Sequence, residues 1–351
     1  MNLRRLKSIL LTMACILAAV SCKDEDEDTN VAYLNGSLTF ELKEFILPGE
    51  IVKMTPKGIS HPDNKGIGYY WKVTPTMTKY DTVRLENGLD KLGNESDGSF
   101  THKFSDTLQT YTVYCYGFAA DYTSSSASNF TTVVSPGPEK SITGSGISVD
   151  NDKFITANGQ KYYYTTIGKL DWFKQNLAYT ETGIPFRNAD AMDGVFGKYY
   201  SYKDAVNACP EGWRLPSDAE WASLAKTYLN DETDYTEKNI PDIASKVITD
   251  AYFNGVKMWE YWPSVGKPTN ESGLSLIPTG YATLGEADEN GKYPTATFTG
   301  VYQYAICWTA DKADEDMAYY RYIYYDQPAM MIGKADTETF AAAVRCVRDV
   351  E

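Results

Sequence analysis

Two β-rich domains in tandem are what the sequence predicts: an all-β sandwich over residues 37–140, then an α+β domain with two or three short helices over 141–351. Three observations carry this. Between Ser37 and Ser135 apolar residues recur with period two, the spacing of strands that bury one face. Proline, glycine and serine crowd Ser135-Pro-Gly-Pro-Glu-Lys-Ser-Ile-Thr-Gly-Ser-Gly146, a composition break that usually marks a linker. Beyond it, helix-start signals at Ser201 and Ser217 stand between stretches of strand character. A chain of 351 residues also exceeds what one core usually organises.

In the first domain, residues 38–46, 51–55, 68–74, 99–104, 110–120 and 129–135 read as strands. Gly66-Ile-Gly-Tyr-Tyr-Trp-Lys-Val73 places Trp71 mid-strand, where immunoglobulin-like sandwiches bury a large ring between sheets. Alternation along Tyr111-Thr-Val-Tyr-Cys-Tyr-Gly117 puts Tyr111, Val113 and Cys115 on one face, taken as the core face. Cys115 finds no partner on an earlier strand and reads as a buried free thiol. The segment 98–106 with Tyr111-Thr-Val113 resembles the end of PKD-like and other Ig-like modules of cell-surface proteins. That resemblance makes the sandwich Ig-like.

Charge and histidine content narrow the chemistry. The formal net charge is -14, and cleavage of the leader described next would remove Arg4, Arg5 and Lys7 and leave -17. Such a balance repels phosphate backbones, so nucleic acid is not an expected partner. The two histidines, His61 and His102, both lie in the first third and lack a Cys, Asp or second His at ligand spacing. Both read as surface residues. No histidine base or histidine metal ligand is available in the last two-thirds.

The amino end reads as an address. Arg4, Arg5 and Lys7 form a positive region, residues 9–20 an apolar one, and Ala19-Val20-Ser21-Cys22 a small-residue cleavage site. This resembles a lipobox, which implies a lipoprotein signal peptide over residues 1–21 and Cys22 as the lipid anchor. An ordinary signal peptide is the alternative. Residues 22–36 then form a tether whose Lys23-Asp-Glu-Asp-Glu-Asp28 is too charged to pack. The cluster resembles the acidic export signal of surface-exposed lipoproteins of the Bacteroidota, so an outer-membrane location facing the exterior is expected. A spacer on a periplasm-facing lipoprotein is the plainer reading.

After residue 150 a series of motifs appears. Tyr162-Tyr-Tyr-Thr-Thr-Ile-Gly-Lys-Leu-Asp-Trp-Phe-Lys-Gln-Asn-Leu177 opens it, and the segment Gly197 to Trp221, with Cys209-Pro-Glu-Gly-Trp-Arg-Leu-Pro-Ser217, continues it. Asn270-Glu-Ser-Gly-Leu-Ser-Leu-Ile-Pro-Thr-Gly-Tyr281, Cys307-Trp-Thr309 and Ala343-Val-Arg-Cys-Val-Arg-Asp349 complete it in order. Over roughly residues 150–350 the chain resembles the Fibrobacter succinogenes major paralogous domain, a family of secreted and surface bacterial modules. That family looks related to the C-type-lectin-like fold of formylglycine-generating enzymes, so the resemblance implies a C-type-lectin-like second domain.

Local physics agrees with two helices there. Ser201-Tyr-Lys-Asp204 carries a side-chain cap, with Tyr202, Ala205 and Cys209 on one face. Ser217-Asp-Ala-Glu220 is a capping box, followed by Trp221, Leu224, Ala225 and Tyr228 on one face. Among Cys209, Cys307 and Cys346 the resemblance implies a Cys209–Cys346 disulfide, because C-type-lectin-like domains join a helix end to the last strand; three free buried thiols remain the alternative.

Catalytic signatures are missing: no nucleophile elbow, no phosphate loop, no His-Glu-x-x-His. Val344-Arg-Cys-Val347 is similar to the end of formylglycine-generating enzymes, yet those need two closely spaced cysteines, and Cys307 and Cys346 are far apart in sequence. Asp314-Glu-Asp316 reads as a solvated loop rather than a glycosidase pair. Asp326-Gln-Pro-Ala329 lacks the second carboxylate of a calcium-dependent sugar site. No catalytic residue, metal or cofactor is expected.

Aromatic surface is what remains for recognition. Trp259, Tyr261 and Trp262 fall where lectin-like folds carry a long binding loop, although at least one Trp is expected in the core. Tyr320, Tyr322 and Tyr324 share one face of a strand, with Arg321 and Ile323 on the other, and the sequence leaves open which face is wet. The expected function is that of a lipid-anchored surface protein binding a glycan or protein ligand. An adhesin or pilus-associated subunit is the alternative, and an enzyme of the formylglycine-generating fold group the disfavoured one.

Overall fold

The computed structural model describes residues 31–76, 89–135, 142–144, 153–254, 256–259, 266–290 and 293–350. The segments expected to be a signal peptide and, up to residue 30, a tether, Cys22 included, lie outside the described residues. The chain is mostly β, with a few short helices.

The first part is a five-stranded sheet in the order Phe45–Ile46, Ser125–Val133, Thr110–Phe118, Gly68–Pro75, Leu89–Leu92, antiparallel except where Phe45–Ile46 joins it. Two strand pairs, Asn35–Thr39 with Lys57–Ser60 and Ile51–Met54 with Phe100–Lys103, supply Leu38, Met54 and Phe100 to the same core. Tyr111, Val113 and Cys115 are buried as alternation predicts, and Cys115 is a free thiol. Trp71 sits opposite Cys115 in register, is wholly buried, and donates from its indole N–H to the Gly98 carbonyl at 2.8 Å. Its ring therefore fills the core without leaving a polar atom unmet.

Two expectations are corrected here. The strand expected over 38–46 is two strands, Asn35–Thr39 and Phe45–Ile46. The first pairs with Lys57–Ser60, where Gly36 and Gly58 each take a positive φ and pack with no room for a Cβ. Pro56 and Gly58, residues that strands disfavour, flank and interrupt that partner strand in the sequence. His61 is not a surface residue: it is 5% exposed, its ring lies 4.6 Å from that of Tyr122, and Nδ1 accepts from the Asp63 amide at 3.0 Å. His102 is half-buried, edge-on to Phe104.

In the second part an antiparallel sheet orders Phe154–Ala157, Gln160–Ile167, Leu170–Phe173 and Val347–Asp349, so the last strand returns to the start of the domain. A five-stranded sheet runs Ile184–Pro185, Lys198–Ser201, Phe340–Ala342, Tyr281–Leu284, Ala296–Thr299, and a three-stranded one runs Tyr304–Lys312, Met317–Tyr324, Met330–Asp336. Cys209 and Cys346 form a disulfide across a sequence separation of 137.

Both predicted helix starts are present. Ser201 accepts from the Asp204 amide, and Ser217 and Glu220 form a reciprocal capping box. The helices are shorter than periodicity suggests. Tyr202–Ala205 ends before Cys209, which is thus not on its face, and the second helical stretch is divided into Asp218–Ala222 and Leu224–Leu229. Single turns at Asp193–Phe196 and Ala244–Val247 add to the expected two or three, and among the described residues no α-helix exceeds six residues. Trp221, Leu224 and Ala225 are wholly buried, as the helical face requires.

Candidate functional site

Three of the motif segments, those holding Asn176, Leu274-Ser275 and Arg345, converge on a buried cation. Arg345 is wholly buried; its Nε donates to Asn176 Oδ1 at 2.7 Å and its Nη1 to the carbonyls of Phe173 and Leu274 at 3.1 and 2.6 Å. Nη2 donates to the Ser275 carbonyl at 3.3 Å. Ser275 is itself held, its amide donating to Asn270 Oδ1 at 2.9 Å. Burial lowers the guanidinium to about 10, so it stays charged at neutral pH. Trp308 donates from its indole to the Tyr200 carbonyl at 2.8 Å, and Arg214 grips both Glu220 oxygens at 2.7 and 2.6 Å. These motif residues bind one another, so the motifs are internal fastenings.

The alternating strand Met317–Tyr324 resolves which of its faces is wet. Arg321 is 1% exposed and fully engaged: Nε on Asp218 Oδ1 at 2.5 Å, Nη1 on the Lys238 carbonyl at 2.6 Å, and Nη2 on the Tyr235 carbonyl at 2.8 Å. Ile323 is buried beside it. The arginine therefore faces inward, and Tyr320, Tyr322 and Tyr324 are half-exposed on the other side. An ion pair buried this deeply is tolerated because each guanidinium nitrogen finds an acceptor.

Three more half-exposed rings join the tyrosines from neighbouring strands. Tyr304 stacks on Tyr324 at 4.6 Å, Phe340 on Tyr320 at 5.2 Å, and Tyr281 on Phe340 at 5.1 Å, while Tyr320 and Tyr322 lie 5.6 Å apart. Gly333 opposes Tyr320 on the adjoining strand, where any Cβ would meet the phenol ring. Burial pushes the Tyr320 hydroxyl up to about 12 and raises those of Tyr304 and Tyr322; the hydrogen bond with Tyr325 raises that of Tyr324. All four remain protonated at neutral pH, able to donate and to accept. Because the rings stack on each other, their faces are largely turned to one another, and all but Tyr324 also pack against the buried cluster around Trp308. Tyr281, Tyr304 and Phe340 escape sequence reading because they come from three other strands: register places Tyr304 opposite Tyr324, and packing of a second sheet brings Phe340 and Tyr281 against Tyr320.

The other aromatic candidate is corrected. Trp259 is 1% exposed, packs in the core with Ile248, Leu274 and Leu276, and donates to the Leu276 carbonyl at 3.4 Å. A ring buried there offers nothing to a ligand. Tyr261 and Trp262 lie outside the described residues.

A cleft of about 820 Å³ is lined by Glu181, Asp190, Asp193, Lys198 and Asp288 among others. Burial raises the Asp193 carboxyl to about 6 against the pull of Lys198, whose Nζ lies 3.4 Å from Oδ2. Among the described residues no group of three or more His, Cys, Asp or Glu is placed to hold a metal ion. No helix among them is long and apolar enough to cross a membrane.

Residues 165–348, more than half of the chain, match the family described as Fibrobacter succinogenes major domain, and the chain belongs to that family. No curated protein and no solved structure matches it.

Proposed function

We propose that this family member is a lipid-anchored outer-membrane protein, facing the cell exterior, which recognises a glycan or protein ligand through the tyrosine row of its second domain. The carrying observation is the gathering of Tyr281, Tyr304, Tyr320, Tyr322, Tyr324 and Phe340 from four strands onto one half-exposed surface. Phenols of this kind combine apolar contact area with hydrogen bonding at little entropic cost, the property that enriches tyrosine in recognition surfaces. Rings whose faces are turned to one another suit hydrogen bonding to a polar ligand surface better than stacking under a sugar ring.

The finer fold reading belongs to the same proposal. A last strand that returns to pair with Leu170–Phe173, and a long-range disulfide ending one residue before that last strand, support a C-type-lectin-like domain. Trp71 buried mid-sheet supports an Ig-like first domain, which lifts the second away from the membrane anchored at Cys22. Enzymatic chemistry of the formylglycine-generating type draws no support: Cys346 is committed to the disulfide, leaving Cys307 as that domain's free thiol among the described residues. An exposed-side strand edge at Ala296–Thr299, paired on one side, is the feature a pilus-type subunit would use.

The test is a glycan array and a surface-protein panel probed with the full chain and with Tyr322→Ala and Tyr324→Ala variants. Binding that the variants lose supports the reading; binding that both retain moves the site.

A further inference from the structure

Phe45 and Ile46 are neighbours in sequence, yet their side chains enter two different cores. Successive side chains of a strand point to opposite faces. Ile46, with no exposed surface, packs with Trp71 and Val133 in the core of the first domain. Phe45, 8% exposed, packs with Phe186, Met192 and Phe196 of the second, its ring 6.0 Å from that of Phe186. The same division recurs on the adjoining segment, where Val133 belongs to the first core and Val134, wholly buried, to the second. The Val134 amide donates to the Ile46 carbonyl at 3.0 Å and so fixes the two segments side by side.

Polar contacts close the same boundary. Glu44 pairs with Arg187, and Arg187 and Asn188 both hold left-handed backbone, at φ 52° and 57°, which side chains other than glycine rarely adopt. Two consecutive residues of that kind persist only when their surroundings hold them. Further along, Ile142–Gly144 pairs with Ala251–Phe253, and Phe253 lies in the same apolar cluster as Phe45. The chain is therefore fastened to the second domain both before the Pro/Gly/Ser stretch and within it.

We infer that residues 44–46 and 133–134 form a wall shared by the two cores, so that the first domain is a rigid arm of the second and not a freely hinged spacer. A linker rich in proline, glycine and serine between two independent domains would instead leave relative motion as the default. The exposed ion pair adds little by itself. The apolar division of each strand is what couples the domains, since separating them would expose Phe45, Val134 and the Phe186 cluster to water.

Spin labels at Lys91→Cys and Lys226→Cys, both exposed positions on different domains, measure this in the full chain by pulsed dipolar spectroscopy. Among the described residues the free thiols, Cys115 and Cys307, are buried, and Cys15 and Cys22 are changed to Ser in every labelled variant so that they take no label. One narrow distance peak is expected, widening at least twofold in a Phe45→Asp background. A broad distribution without the substitution, or a peak equally narrow with it, overturns the inference. Calorimetry of the milder Phe45→Ala variant supplies a second reading: the single transition expected of the native chain should split in two, and an unsplit, unshifted transition contradicts the shared wall. Neither measurement uses a ligand, so the result stands apart from whether the tyrosine row binds one.

Discussion

Arg345 and Asn176 stand 169 residues apart in sequence and 2.7 Å apart in space, joined by a fully buried hydrogen bond. That contact ties the Asn176-Leu177 segment to the final Val344-Arg-Cys346 segment, while the other guanidinium nitrogens reach the 270–281 turn. Arg345→Met would leave Asn176 Oδ1 and three carbonyls without their donor. A loss of about 3–5 kcal/mol is expected, as for other broken buried charge networks, read by denaturant unfolding. A loss under about 1 kcal/mol would mean that the motifs are not held through this residue.

Next to it, Cys346 closes the disulfide to Cys209. On the chain-entropy account, a loop of this length is worth about 4–5 kcal/mol, with measured values often smaller. The Cys209→Ser/Cys346→Ser double variant should therefore melt well below the native chain, and reductant should lower the native melting temperature towards that of the variant. Insensitivity to reductant would show that the bridge adds nothing.

Asp193 predicts a pH dependence. Its folded carboxyl is raised to about 6 from 3.8, chiefly by burial. The folded state thus holds a proton more firmly than the unfolded one, and this group's contribution to stability is present below about pH 4 and lost as pH rises through about 6. Asp193→Asn should remove that loss and gain on the order of 1–2 kcal/mol at pH 8 relative to pH 4. Melting temperatures of the two proteins across this range check it; parallel curves would contradict it.

Much of the architecture is legible in the sequence wherever a local rule carries the information. The capping box at Ser217, the inward face of Tyr111, Val113 and Cys115, and the buried Trp71 follow from spacing alone. The disulfide follows from the family resemblance. What is illegible depends on partners distant in sequence. Nothing near Arg321 announces Asp218, 103 residues away, so the sequence leaves open which face of that strand is wet. His61 looked exposed because the loop around it is polar, and the ring of Tyr122 that covers it comes from another strand. Trp259 looked like a loop ring for the same reason.

At the amino end, the proposed anchor makes a separate claim. Cys22→Ala should release the protein from the membrane fraction or leave an unprocessed precursor, seen by fractionation and by metabolic labelling with a fatty-acid analogue. Labelling that persists in the variant would place the lipid elsewhere.

The central claim, recognition by the tyrosine row, is tested by measuring ligand affinity and melting temperature together on Tyr322→Ala, Tyr324→Ala and Trp259→Ala, using any ligand found by the array or panel. The two tyrosine variants should each lose about 1–3 kcal/mol of binding while melting near the native temperature. Trp259→Ala should instead lose roughly 3–5 kcal/mol of stability through the cavity it leaves, binding failing only as the fold fails. Native affinity in folded tyrosine variants would contradict the row as the binding surface.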